Sequence, residues 1–231
     1  MLATDGSIAC FKEGRITSAS GMVFMADSLR SAEIALEYGL DVGLHLNFTE
    51  RFNGDVKSGQ LMTCQDIIAK FLQKHRYSYI IYNPLLKRSF EYVSKTQFEE
   101  YTRLYNRVPS HIDSHHHMHL CTNVLLGNIV PRGSWVRRKF TPLPGDKRNI
   151  NRLYRFIINC WIKRKYKLVD YFYKFPQTGN LQILTKMIEP AKQTNVEIMV
   201  HPEIENEVKL LRSDEYLRII GRVPKGNYSD L

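Results

Sequence analysis

Three extended segments alternate with helical ones, and that alternation restricts the chain to folds in which strands run parallel. From Ser28 to Tyr38, "SLRSAEIALEY" puts Leu29, Ala32, Ala35 and Leu36 at helical spacing and stops at Gly39. "DVGLHLNF" follows, with Val42, Leu44, Leu46 and Phe48 on one face and His45, Asn47 and Thr49 on the other, which predicts a strand. Residues 94–106 predict a helix with Ser94 or Thr96 as N-cap, ended by Val108-Pro109. "SHIDSHHHMHL" begins as a strand directly afterwards, and "VEIMVHP" is a third strand, closed by Pro202. Residues 50–90 and 140–180 have the least regular pattern and read as insertions or long loops. This order predicts an α/β barrel or an open parallel sheet, whose chemistry gathers at the C-terminal edge of the strands. His45, the 111–119 cluster and His201 all stand at such edges.

Composition excludes several classes. The 43% apolar and 24% charged content is that of a globular domain, and 231 residues suffice to bury a core. Apolar runs fall far short of the roughly 20 residues that cross a bilayer, and the first residues lack a basic start followed by an apolar stretch. Cys10, Cys64, Cys121 and Cys160 are widely spaced and form no CxxC pair, so a cytoplasmic protein with free thiols is the expectation. The net charge of +10 is local: residues 132–174 carry thirteen Lys/Arg against Asp146 and Asp170, a net +11, and the rest sums to −1. The excess describes one surface, and no specific nucleic-acid partner is expected.

The densest chemistry is "HIDSHHHMHL", with five histidines and an aspartate in ten residues. If extended, its 111–119 face spans roughly 26 Å at about 3.3 Å per residue, too long for one ion with bonds near 2.1 Å. At most one or two of these side chains then bind a metal directly. Asp113 suits the partner's role of accepting a ligating histidine's second N–H. The plain alternative is a solvated His-rich loop.

"GRITSASGMV", "GLHLNFT", "VPSHIDSHHHMH" and "VEIMVHPE" resemble, in order and approximate spacing, the YdjC/ChbG-like carbohydrate deacetylases. The resemblance covers most of the chain and is weakest across 55–95 and 140–190. It implies a distorted (β/α) barrel of the polysaccharide-deacetylase type and a single domain over residues 1–231. It also implies removal of acetyl groups from N-acetylated sugars or oligosaccharides with a divalent metal ion, Mg²⁺ or Zn²⁺. Carried over by motif, His45 and His115 are the metal ligands and His201 the catalytic proton donor. Asp113, His117 and Thr49 are left for support or substrate contacts. A homodimer is implied by the resemblance alone.

The family opens on a strand ending in "NADDFG", which supplies an aspartate ligand and a general base, and that motif has no counterpart in these 231 residues. The resemblance therefore implies a first strand upstream of Met1, in a truncated form or gene model, or a degenerate relative. Asp5 is the only local substitute. Two rivals to the deacetylase stay open: a different barrel metallohydrolase, such as a phosphoesterase or amidohydrolase, and a catalytically impaired member that binds glycan or a partner. Residues 150–168, "INRLYRFIINCWIKRKYKL", mix Leu153, Phe156, Ile157, Cys160 and Trp161 with basic residues at amphipathic spacing. This predicts either a solvated face or contact through 132–174 with anionic glycan or a membrane surface.

Overall fold

The structure, a computed structural model, describes residues 2–143, 149–176 and 180–231. Along the chain run α1 (Leu2–Lys12), β1 (Ser18–Gly21), α2 (Ser28–Tyr38), β2 (Asp41–Leu46), α3 (Gly59–Lys74), α4 (Lys87–Tyr105) and β3 (Ile112–Ser114). There follow α5 (Thr122–Gly127), α6 (Asn149–Ile162), β4 (Tyr171–Lys174), α7 (Leu181–Ile188), β5 (Val196–Met199), α8 (Glu205–Arg212) and α9 (Asp214–Ile220). All strand pairing within these elements is parallel, so the fold is mixed α/β. The chain divides into two compact units, one of residues 18–136 and one of residues 1–17 with 137–231.

In the first unit the strand order is β1-β2-β3. Parallel neighbours need crossovers long enough to return the chain, and α2 serves β1 to β2 while α3 and α4 serve β2 to β3. The central strand β2 is buried at every position but His45, because its alternate apolar residues face one layer and its short or paired residues the other. Helix α2 stops where Gly39 takes a left-handed conformation, φ 67°, and its amide closes on Ala35 and Leu36. Helix α4 begins at Lys87, seven residues before the predicted start, and ends at Asn106, also left-handed. The two regions expected to be irregular contain α3, α6 and β4, which corrects that expectation.

The loop that leaves β2 is fixed by amides from two helices. Asn47 N donates to Gln97 Oε1 (2.8 Å), and Gln97 Nε2 returns a bond to Asn47 O (3.1 Å). Asn47 Oδ1 accepts from the amides of Thr49 and Glu50, while Gln65 and Gln73 donate to the carbonyls of Glu50 and Thr49. Asn47, Gln65 and Gln97 are fully buried. Buried backbone groups deprived of a partner cost about 1–3 kcal/mol each. Gln97→Ala is therefore expected to destabilise this unit by about 3 kcal/mol, read as a lower urea midpoint with an unchanged slope.

In the second unit β4 pairs with β5 in register Tyr171↔Val196 to Lys174↔Met199. Its core gathers Cys10, Phe175, Leu184, Ile188, Leu211, Tyr216 and Ile219. Arg137 and Glu197 form an ion pair (2.6 Å) with little exposure, completed by a hydrogen bond from the Tyr228 hydroxyl to Glu197 (2.6 Å). No described helix is long and apolar enough to cross a membrane.

Candidate active site

The site in the first unit grows from the register of β2 and β3, which sets His45 opposite Asp113. His45 Nδ1 lies 2.9 Å from Asp113 Oδ1, so the ring donates from Nδ1 to the carboxylate and Nε2 is the nitrogen turned from it. Asp113 is wholly buried, and its second oxygen accepts from the Ser20 hydroxyl (3.1 Å). Ser20 also meets His111 Nε2 at 3.0 Å, and His111 Nδ1 meets Ser110 at 3.1 Å. A chain of contacts thus runs from His111 through Ser20 and Asp113 to His45. Burying a carboxylate is tolerable when each oxygen is hydrogen-bonded in this way.

Beyond Ser114 the backbone abandons the strand. Residues His115–Leu120 wind into a tight helical stretch, within which His116 and His117 both take left-handed conformations, φ 54° and 58°. Such residues cost about 1–3 kcal/mol each and persist only where their surroundings hold them. The hold here is Ser114 Oγ, which accepts from the His119 amide (2.6 Å) and meets His119 Nδ1 (2.9 Å). The fully extended 111–119 face considered from sequence is thereby replaced by a turn, and the histidines splay apart.

The turn brings His115 beside His45, with ring centroids 6.2 Å apart. His115 Nδ1 meets the Thr49 hydroxyl at 2.9 Å, and Nε2 lies 3.5 Å from Glu50 Oε1. Burial pushes the His115 pKa down, the neighbouring His116 and His45 push it further, and Glu50 opposes them. Its neutral form, the one that ligates a metal, is therefore favoured. Of the other expected residues, Asp113 and Thr49 join this group, while His117 stands 6.1 Å from His119, ring to ring. His201 belongs to the second unit. There its Nδ1 is 3.2 Å from Glu207 Oε2, which also accepts the His201 amide (2.8 Å), and Glu207 is 1% exposed.

With ligand bonds near 2.1 Å, an ion lies about 3.2 Å from the centroid of each imidazole that holds it. Two rings 6.2 Å apart fall just inside twice that distance, so an ion shared by both would have to lie nearly midway between them, and each ring already has Nδ1 engaged. Among the described residues, no group of three His, Cys, Asp or Glu able to hold an ion is present.

Ser20 and Glu50 in this unit, and Glu207 beside His201 in the other, are residues that the sequence did not single out. Ser20 sits on β1 at a position whose partner is Gly43, so only the three-strand register exposes its link to Asp113. Glu207 carried one signal, an acid six residues after His201 in a polar segment.

A parallel α/β unit with two imidazoles brought together where its strands end is an arrangement that several classes of site share. The comparisons narrow it: the YdjC-like protein family matches residues 3–222, and the chain belongs to that family. It is similar to the chitooligosaccharide deacetylase of Yersinia pestis (strain Pestoides F), 27% identical over 203 residues that cover 85% of this chain and 74% of the relative. The same identity and coverage hold for the chitooligosaccharide deacetylase of Yersinia pseudotuberculosis serotype O:1b (strain IP 31758).

Proposed function

We propose that the protein is a metal-dependent hydrolase that removes acetyl groups from N-acetylated sugars of the chitooligosaccharide class, on a distorted barrel. The observation that carries this is the pairing of His45 and His115 from distant parts of the chain, each with Nδ1 held by a neighbour. The named activity of the similar Yersinia proteins supports the substrate class. His45 and His115 would hold the ion through Nε2. When bound, a divalent ion polarises the acetamide carbonyl and lowers the pKa of a ligated water.

The chain's own residues do the rest. Asp113 fixes the tautomer of His45 and raises its basicity as a ligand. Thr49 does the same for His115 in weaker form, held in place by the amide ladder around Asn47. Amide cleavage also needs a proton on the departing nitrogen. His201 is suited to give it, since the buried Glu207 faces Nδ1 and leaves Nε2 as the delivering atom.

The test is acetate release from N-acetylated chitooligosaccharides with Zn²⁺ or Mg²⁺ added, against the same reaction in chelator. Release that depends on the ion, and falls by about 10²–10⁴-fold in His201→Ala, is the expected result. A folded protein that releases no acetate with either ion refutes it. The two-ligand count among described residues favours a second reading, glycan binding without turnover. In that case calorimetry detects the oligosaccharide while acetate stays at background.

A further inference from the structure

Helix α6 faces the wrong way for an amphipathic helix on a protein core. Its inward side is narrow, made by Ile158, Asn159 and Ile162. Its outward side is apolar: Ile150 is 87% exposed, Leu153 59%, Phe156 65% and Ile157 54%. At about 100° per residue, these four with Cys160 and Trp161 follow one another around roughly 140° of the circumference opposite the buried residues. A single exposed leucine needs no explanation, but a continuous stripe of this size marks a contact surface.

The charge around the stripe identifies what it contacts. Arg152, Lys163, Arg164 and Lys167 are all exposed at its margin and just past its end, and residues 149–169 contain no Asp or Glu. Of the sequence's basic segment, Lys147 and Arg148 lie outside the described residues. A second copy docked face to face through a two-fold axis would bring this cationic rim against itself, which costs energy. A protein groove would have to be both apolar and acid-rimmed to accept so convex a ridge. An anionic lipid surface has that chemistry everywhere: negative headgroups over an acyl boundary. The helix has 14 residues, about 21 Å long, against roughly 30 Å of hydrocarbon, so it suits lying in the interface rather than spanning it.

We propose that α6 seats the protein on anionic membrane surfaces, with Leu153, Phe156 and Ile157 entering the headgroup boundary and the flanking cations pairing with lipid phosphates. The inference is independent of the deacetylase reading and leaves it intact if it fails.

The experiment is co-sedimentation of the full chain with vesicles of phosphatidylcholine alone and of phosphatidylcholine mixed with phosphatidylglycerol, at low and high salt. Binding is expected only to the anionic vesicles, and weaker in salt. Leu153→Ser with Phe156→Ser is expected to weaken it by at least about tenfold, and each of Arg152→Gln and Arg164→Gln by about fivefold. All four positions are exposed, so unchanged thermal unfolding shows that the variants are folded. Equal sedimentation with both vesicle types overturns the proposal. So does an absence of binding, whether the wild type is a dimer that Leu153→Ser/Phe156→Ser converts to monomer, which assigns the face to a second copy, or a monomer throughout, which assigns it to another protein.

Discussion

Replacing His45 with alanine is expected to weaken divalent-metal binding by well over about 100-fold and to reduce acetate release at least as much. The bound follows from its neighbour: loss of a partner that merely supports a ligating histidine costs about 10–100-fold, and loss of the ligand itself must exceed that. Asp113→Asn supplies the calibration. It keeps the shape and removes the charge that faces His45 Nδ1, so its effect falls within that 10–100-fold range. Ser20→Ala, one contact further along the same chain, is expected to cost less than Asp113→Asn, because Asp113 retains His45. Zn²⁺ titration calorimetry measures the order without any need for turnover. If His45→Ala binds Zn²⁺ as tightly as wild type, the two-imidazole site does not exist, whatever the acetate assay reads.

What the sequence disclosed, and what it hid, follow from the range of each interaction. The alternation in "DVGLHLNF" defines β2 because a period of two survives any packing, and the parallel α/β class follows from the order of elements. The start of α4 was readable in principle: Leu86, Phe90, Val93, Gln97, Tyr101 and Leu104 continue one stripe, but Ser94, buried within the helix, has the chemistry of an N-cap and suggested the later start. Helix α3 is disguised by Gln65, a polar residue on an inward face otherwise made by Leu61, Ile68 and Leu72.

Other features depend on contacts that no local pattern encodes. Two successive left-handed histidines without a glycine are unfavourable as a local choice, and they exist here because Ser114 clasps His119 across the turn. The sequence therefore places His45 and His115 on strand ends without giving the bend that brings their rings to 6.2 Å. Helix α6 is the sharpest case. Amphipathic spacing is legible in 150–168, yet spacing alone gives no sign that the larger apolar side chains face outward and the core contact is left to Ile158, Asn159 and Ile162.

Gly43→Ala is expected to be among the most destabilising single-methyl additions in the first unit, at about 3 kcal/mol, the upper part of the range for overpacking. A Cβ at residue 43 would stand 2.5 Å from both the His111 ring and the His111 carbonyl oxygen. The ring could rotate, although it would then forfeit its contacts with Ser20 and Ser110. The carbonyl cannot move without stretching the bond it accepts from the Leu44 amide (2.8 Å), which begins the β2–β3 ladder. Relief thus requires β3 to shift away from β2, and that shift also separates Asp113 from His45. Two measurements follow: a lower urea midpoint, and weaker Zn²⁺ binding in the fraction that remains folded. The pairing with His111→Ala separates the causes. Removing the ring relieves one clash and leaves the other, so the double variant is expected to recover only part of the loss, with a favourable coupling of about 1 kcal/mol between the positions. Full recovery would mean that the backbone contact is unimportant, and that the glycine is required by the histidine alone.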